Sequence, residues 1–243
     1  MPPRKKPIAP AVHPFDRAHG TDTSGLIPGP AIAEGTTHKV EDLTAYYGIA
    51  PSILTGLTDL WLQQLHPQSP IEQTVFLDVG AGKGRAMMLA SQLPFRRIEG
   101  IELSPAMYAI AQRNLAIWGA DPTAEALAPI MLHHADATTH PLPHAPTLAF
   151  LFHPFEAKLL NRFLRHVESE QAESPQPFDL IYANAEHDSL LDRDPCFRRI
   201  WLGRVPMSTD DHLADLAEIA QQTEYGSTGD ELCAIYRFHP RGQ

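Results

Sequence analysis

Residues 74–84, Thr-Val-Phe-Leu-Asp-Val-Gly-Ala-Gly-Lys-Gly, join a short apolar run to a loop with glycine at every second position from Gly80 to Gly84. The run 75–79 has the length and content of a strand buried on both faces. The next stretch, RAMMLASQL at 85–93, continues as helix. Glycines between a buried strand and a helix let the backbone turn sharply and come close to a ligand, while the helix start offers free N–H groups. A nucleotide-like cofactor is the guest such a loop suits.

The same alternation runs on downstream. RRIEGIEL (96–103) reads as a second strand, and SPAMYAIAQRNLAIWG (104–119) as a helix with Ser104 placed to cap it and Pro105 in its first turn. PIMLHHAD (129–136), TLAFLFH (147–153) and DLIYANA (179–185) read as further strands, with a helix over EAKLLNRFLRHVES (156–169). Strands alternating with helices predict a doubly wound α/β fold whose mostly parallel sheet is covered on both faces. FRRIWLGRV (197–205) and ELCAIYRFH (231–239) are expected to form an antiparallel pair on one edge, which brings the sheet to seven strands. Between them, 206–230 is an acidic insertion containing a helix. Upstream, residues 41–65 carry apolar side chains at helical spacing, interrupted at Gly48 and Pro51.

Three ligand chemistries compete for the loop. A phosphate-binding Walker loop requires glycine where Leu77 stands and Ser or Thr where Gly84 stands, so that reading fails twice. A dinucleotide fingerprint, G-x-G-x-x-G, is met by Gly80 and Gly82 but has Arg85 at its third glycine, which leaves an NAD-dependent oxidoreductase as an alternative. The third is the loop of class I S-adenosylmethionine-dependent methyltransferases, which this segment closely resembles, Asp78 included. Glu102, at the end of the second strand, is placed to accept hydrogen bonds from ribose hydroxyls in either of the last two cases. Asp136 closes the third strand, where the methyltransferases place an acid near the adenine amino group.

The resemblance extends over most of the chain. FDRAHGTDTSG (15–25), YYGIAPS (46–52), FLDVGAGKGRAMMLA (76–90), PFRRIEGIELSP (94–105), AIAQRNL (109–115) and FHPF (152–155) together are similar to a bacterial family of class I methyltransferases. The resemblance implies a Rossmann-like fold and methyl transfer from S-adenosylmethionine. It implies that the cofactor lies against Asp78, Gly80, Ala81, Gly82, Gly84, Glu102, Leu103, Asp136, Ala137 and Tyr47, with His153, Pro154 and Phe155 at the acceptor. His153, an imidazole titrating near neutrality, is the candidate proton acceptor. The chain departs from the family in two places: His153 stands where the family usually has Asn, and the insertion at 206–230 is its own. The acceptor is therefore expected among small molecules or protein side chains, without a choice between them. A module that binds the nucleoside without turnover is a further alternative.

Composition sets the outer limits. The chain has 243 residues, 43% hydrophobic and 20% charged, with 29 acidic and 19 basic side chains, for a net charge of -10. Such acidity argues against bulk nucleic acid as a partner. Only Arg4-Lys5-Lys6 forms a basic cluster, read as a solvated tail. The sequence has no apolar run of the roughly 18 residues a membrane helix requires, and its start, MPPRKKPIAP, lacks a secretory apolar stretch, so a cytoplasmic protein is expected. Two cysteines are too few for a disulfide framework, and both are read as small core hydrophobes. Thirteen histidines raise the question of a metal, but neighbours such as His133 and His134 point to opposite faces of a strand, and no metal site is expected. Seven of the 23 prolines fall within the first 30 residues. Residues 1–40 are accordingly expected to be an irregular, turn-rich extension, which with Tyr46-Tyr47 forms a candidate lid over a domain spanning 41–243.

Overall fold

A computed structural model describes residues 12–120, 127–220 and 226–240. The basic cluster Arg4-Lys5-Lys6 and residues 221–225 of the insertion lie outside these.

The described part of the N-terminal extension is more regular than its proline content predicts. It holds two short helices, α1 (Pro14–His19) and α2 (Gly29–Ala33). Proline causes this instead of preventing it: Pro14 occupies the first turn of α1, where its missing N–H costs nothing. The His13 ring accepts the Phe15 N–H at 3.1 Å, and Gly20 closes the helix in the left-handed region at φ 71°. Phe15 is buried and stacks on Trp118 with ring centroids 5.8 Å apart.

From residue 51 onward the elements are α3 (Pro51–Gln63), β1 (Val75–Val79), α4 (Arg85–Ser91), β2 (Arg97–Glu102) and α5 (Pro105–Gly119). They continue as β3 (Ile130–His134), β4 (Thr147–Phe152), α6 (Ala157–Glu173), β5 (Phe178–Ala183) and α7 (Asp188–Arg193). The last three are β6 (Phe197–Pro206), α8 (Thr209–Ile219) and β7 (Asp230–Phe238). Ser104 stands at the N-cap of α5, but its hydroxyl makes no capping bond and is buried without a partner among the described residues. Its N–H donates to Glu102 Oε1 at 2.6 Å, so the neighbouring carboxylate organises the turn in place of the hydroxyl.

The seven strands form one sheet in the order β3-β2-β1-β4-β5-β7-β6. Strands β1 to β5 are parallel, and β7 runs antiparallel to both β5 and β6. All five residues of β1 are buried, as expected of a strand covered on both faces. On one face Leu77, Val79, Leu151 and Tyr182 pack against Leu160, Phe163 and Val167 of α6. On the other Phe76, Phe150 and Ile181 pack against Ile53, Leu57 and Trp61 of α3 and Met87 of α4. Trp61 carries its indole N–H into this core because Asp179 Oδ2 accepts it at 2.8 Å. Cys196 and Cys233 are both free and buried. No described helix is long and apolar enough to cross a membrane.

The strand order reverses between β1 and β4. At such a switch point the loops leave in opposite directions and open a crevice at the carboxyl ends of the strands, which fixes where a ligand can enter.

Candidate active site

The crevice is present as a cleft at the carboxyl ends of β1, β2 and β4, open to solvent at its mouth. Its floor is the loop after β1. Gly80, Gly82 and Gly84 have φ of 76°, 55° and 89°, left-handed values that an L side chain adopts only with strain. A Cβ on Gly80 would stand 2.5 Å from Pro154 Cβ, and one on Gly82 would collide with the Tyr46 ring. Gly80, Ala81 and Gly82 line the cleft, whereas Gly84 lies beneath it as the N-cap of α4.

Every backbone donor of these four residues is already engaged. The N–H groups of Gly80 and Ala81 donate to Ile101 O at 2.9 and 3.0 Å, and that of Gly84 to Ala81 O at 2.8 Å. Gly82 N–H donates to Glu102 Oε2 at 2.7 Å. The loop is shaped for close approach of a ligand, with the N–H groups of its cleft-lining residues Gly80, Ala81 and Gly82 already taken.

Two buried carboxyl groups face the cleft side by side. Burial pushes the Asp78 carboxyl up to about 8, with the nearby Glu102 charge adding to the shift. Its Oδ2 is buried with no hydrogen-bond partner among the described residues. Burial also raises Glu102, to about 7, against the lowering effect of the N–H groups of Ser104, Gly82 and Leu103. Each oxygen of Glu102 accepts a backbone bond and keeps a second lone pair for a ligand.

Asp136, Ala137 and Leu103 also line the cleft. Asp136 is more committed than its strand-end position predicts. Its Oδ1 accepts from the N–H and hydroxyl of Thr138 at 2.8 and 2.7 Å, and its Oδ2 meets His38 Nε2 at 2.7 Å. Burial alone would raise this carboxyl, but the Thr138 and His38 bonds outweigh it and hold Asp136 below the usual carboxylate value.

The N-terminal segment forms one wall. Tyr46 and Tyr47 both line the cleft, with the Tyr46 ring lying over Gly82 and its hydroxyl donating to Thr23 O at 2.7 Å. Tyr47 donates its hydroxyl to Asp215 of α8. Below them Asp16 accepts from the hydroxyls of Thr21 and Thr23 at 2.6 Å each and from the Ser24 N–H at 2.7 Å. Burial pushes the Asp16 carboxyl up, yet these bonds bring it below its ordinary value. Lys83 donates to Ser24 O at 2.6 Å and Asp22 Oδ1 at 3.0 Å. Arg85, which the sequence marks only as a missing glycine, is buried and donates to Thr23 Oγ1 and to the carbonyls of Gly48 and Ile49. Both cations beside the glycine loop therefore fasten the N-terminal segment, while Arg85 also lines the cleft with its Nη2 buried and without a partner among the described residues.

The insertion contributes to the same wall. Asp211, Asp215 and Glu218 lie one above another on a single face of α8 and are buried. They accept from Ser52 N–H, Tyr47 hydroxyl and Gly25 N–H respectively.

Of the segment after β4, Phe152, Pro154 and Phe155 line the cleft, and the His153 ring does not. His153 has φ 42°, a left-handed value that His tolerates better than most side chains. Its imidazole is buried beside Tyr182, Nδ1 lying 2.8 Å from the Tyr182 hydroxyl, and burial lowers its affinity for a proton. Its carbonyl accepts from Thr44 Oγ1 at 2.6 Å, a bond between the N-terminal segment and the β4 loop.

Strand order and switch-point cleft define a Rossmann-like fold in the class I methyltransferase arrangement. No protein-family model and no curated protein matches the chain. In structure it is similar to magnesium protoporphyrin IX methyltransferase from Synechocystis PCC 6803 with bound SAM, at 12% identity and TM-score 0.49, covering 77% of this chain and 78% of that one. It is also similar to StiE O-MT residues 961–1257, at 12% identity and TM-score 0.48, covering 78% and 75%. A putative RNA methyltransferase from Pyrococcus horikoshii is 16% identical with TM-score 0.47, covering 78% and 82%.

Proposed function

We propose that the protein transfers a methyl group from S-adenosylmethionine to a small-molecule or protein side-chain acceptor. The observation that carries this reading is the unpartnered, buried Asp78 Oδ2 beside Glu102, facing a cleft in which the N–H groups of Gly80, Ala81 and Gly82 are already engaged. A carboxyl pair of this kind suits a ligand that brings hydroxyls and positive charge. An NAD pyrophosphate would meet two carboxyl groups, with Lys83 already turned to Asp22 and Ser24.

When bound, S-adenosylmethionine supplies a methyl group on a sulfonium, whose positive charge makes sulfur the leaving group. The protein's own part is to bind, align and exclude water. Glu102 has lone pairs left for ribose hydroxyls, Asp78 for an ammonium or a water bound to it, and Asp136 with Ala137 and Leu103 borders the space beyond. Tyr46 and Tyr47 close the cleft from the N-terminal side. Phe152, Pro154 and Phe155 give the acceptor an apolar approach. His153 enters the proposal as a positioning residue, since its ring does not line the cleft and its carbonyl holds Thr44.

Calorimetric titration of the purified chain with S-adenosylmethionine, S-adenosylhomocysteine and NAD tests the reading, followed by an assay for S-adenosylhomocysteine formed on candidate acceptors. Binding of the two adenosyl compounds and not NAD is expected. Binding of NAD alone would overturn it.

A further inference from the structure

Beyond the cleft wall, where β4 and β5 end, four side chains that the proposed reaction does not use converge from two loops. His153 and Glu156 follow β4, and Glu186 and His187 follow β5. His187 Nε2 lies 3.0 Å from Glu156 Oε2, and His153 Nε2 lies 3.7 Å from Glu186 Oε2. One ligand atom from each of His153, Glu156 and His187 can be chosen so that all lie within 4.8 Å of one another. The two imidazole rings have centroids 5.2 Å apart and planes tilted by 48°.

We propose that His153, Glu156 and His187 bind a divalent first-row transition-metal ion, with Glu186 at the edge of the site as a further oxygen donor. Two imidazoles and a carboxylate favour zinc, cobalt or manganese over magnesium or calcium, which take oxygen ligands. Three protein ligands leave a position open, the arrangement of metal sites that hold an exchangeable molecule. The supporting groups are in place. Metal-bound histidines characteristically engage their second nitrogen with a fixed partner, and His153 Nδ1 has the buried Tyr182 hydroxyl at 2.8 Å. The left-handed backbone at His153 turns the ring out of the cofactor cleft and into the cluster, a local strain that a ligand position would account for. Glu156 and His187 are only partly buried, so an ion can enter from solvent.

The site's ability to bind metal does not rest on the proposed methyl transfer. Phe152 and Pro154, on either side of His153, line the cleft. The His153 ring itself does not line the cleft, so the ion is held outside it.

The test uses the full chain stripped with a chelator and then titrated with Co²⁺, followed by the visible ligand-field bands of the ion, and with Zn²⁺ by calorimetry, both without S-adenosylmethionine. One equivalent per chain is expected. His187→Ala, at a partly exposed position, should weaken binding by more than 100-fold while thermal stability stays unchanged. His153→Asn, which tolerates the left-handed backbone, should weaken binding to the same degree. Tyr182→Phe should weaken binding by about 10-fold, as loss of a supporting hydrogen bond does. Wild-type Co²⁺ spectra and Zn²⁺ affinity in His187→Ala, or no stoichiometric uptake by the native chain, would overturn the proposal. A chain that binds Co²⁺ as described but ignores S-adenosylmethionine would retain the metal site and lose the methyl transfer.

Discussion

Arg85 Nε donates to Thr23 Oγ1 at 2.7 Å, fastening the first turn of α4 to a segment 62 residues earlier in the chain. Thr23 in turn donates from its backbone and hydroxyl to Asp16, so one buried carboxylate organises residues 21–24 and, through Thr23, fixes the guanidinium. The extension is therefore part of the cleft's construction. Removal of residues 1–40 would take the buried Phe15 and Ile32 out of the core, uncover Trp118 and abolish the Asp16 network together. On sequence alone such a deletion is expected to weaken cofactor binding more than stability; the burial of these side chains means that it must damage both. Point substitutions separate the two effects.

Asp16→Asn should cost about 1.5–3 kcal/mol, because an amide NH₂ would face the N–H groups of Thr23 or Ser24 and the charge-assisted bonds would be lost. Asp16 is held below its ordinary value of 3.8 in the folded chain, so its contribution is complete above that value. It disappears as pH falls through the folded value. Urea denaturation should show a constant gap between wild type and variant at neutral and mildly acidic pH, closing only in strong acid.

The features legible in the sequence are those set by local chemistry. The strand and loop at Val75–Gly84, the carboxylate of Glu102 and the alternation of strands with helices all depend on short-range periodicity and turn residues, and all appear where expected. The two carboxyl groups after β2 and β3 sit on the cleft for the same reason. Other features depend on contacts between distant segments. Arg85 reads as a defect in a dinucleotide motif until Thr23, Gly48 and Ile49 supply its acceptors. The acidic insertion shows no role in the sequence, yet in α8 its Asp211, Asp215 and Glu218 are buried against Ser52, Tyr47 and Gly25. The position of His153 is readable, but the direction of its ring is not, since a left-handed φ at one residue turns it from the cleft toward Tyr182. The cluster of His153, Glu156 and His187 shares no spacing motif because two parallel strands bring its halves together.

Gly82→Ala should disable the cleft while leaving the core intact. The position has φ 55°, and a Cβ would strike the Tyr46 ring. Left-handed strain and displacement of Tyr46 should together cost about 1–3 kcal/mol of stability. The displaced ring would no longer cover the loop, so S-adenosylmethionine affinity should fall by more than 10-fold. Calorimetry beside a thermal melt reads both effects. An unchanged affinity would mean that Tyr46 takes no part in binding.

Cofactor binding should release protons near neutrality. Asp78 and Glu102 are raised to about 8 and about 7 in the free protein, so at pH 7 both are at least partly protonated. A cationic ligand favours their ionised forms, and affinity should rise with pH until about pH 8. Titrations at pH 7 in two buffers of different ionisation enthalpy should give different apparent heats, corresponding to a net release of protons. Asp78→Asn should reduce that release and weaken binding by at least 10-fold. The same substitution should improve the stability of the free protein most at alkaline pH. A carboxyl whose folded value is raised binds more protons folded than unfolded, and it loses stability as pH climbs from its unfolded value through the folded one.

Glu218 provides the contrasting case within the insertion. Its Oε2 accepts the Gly25 N–H at 2.9 Å, while Oε1 is buried without a partner among the described residues. Burial raises its proton affinity. Glu218→Gln keeps the acceptor for Gly25 and removes a carboxyl that resists ionisation. The variant should match wild type in acid and melt at a higher temperature above neutrality, by the same sign as for Asp78. Asp215→Ala should behave differently: it strands the Tyr47 hydroxyl, costs about 1–3 kcal/mol and loosens the wall of the cleft. If α8 acts as a clamp on the N-terminal segment, S-adenosylmethionine affinity should fall in Asp215→Ala and hold in Glu218→Gln. Equal affinity in the two variants would make α8 a cover that stabilises the domain without shaping its site.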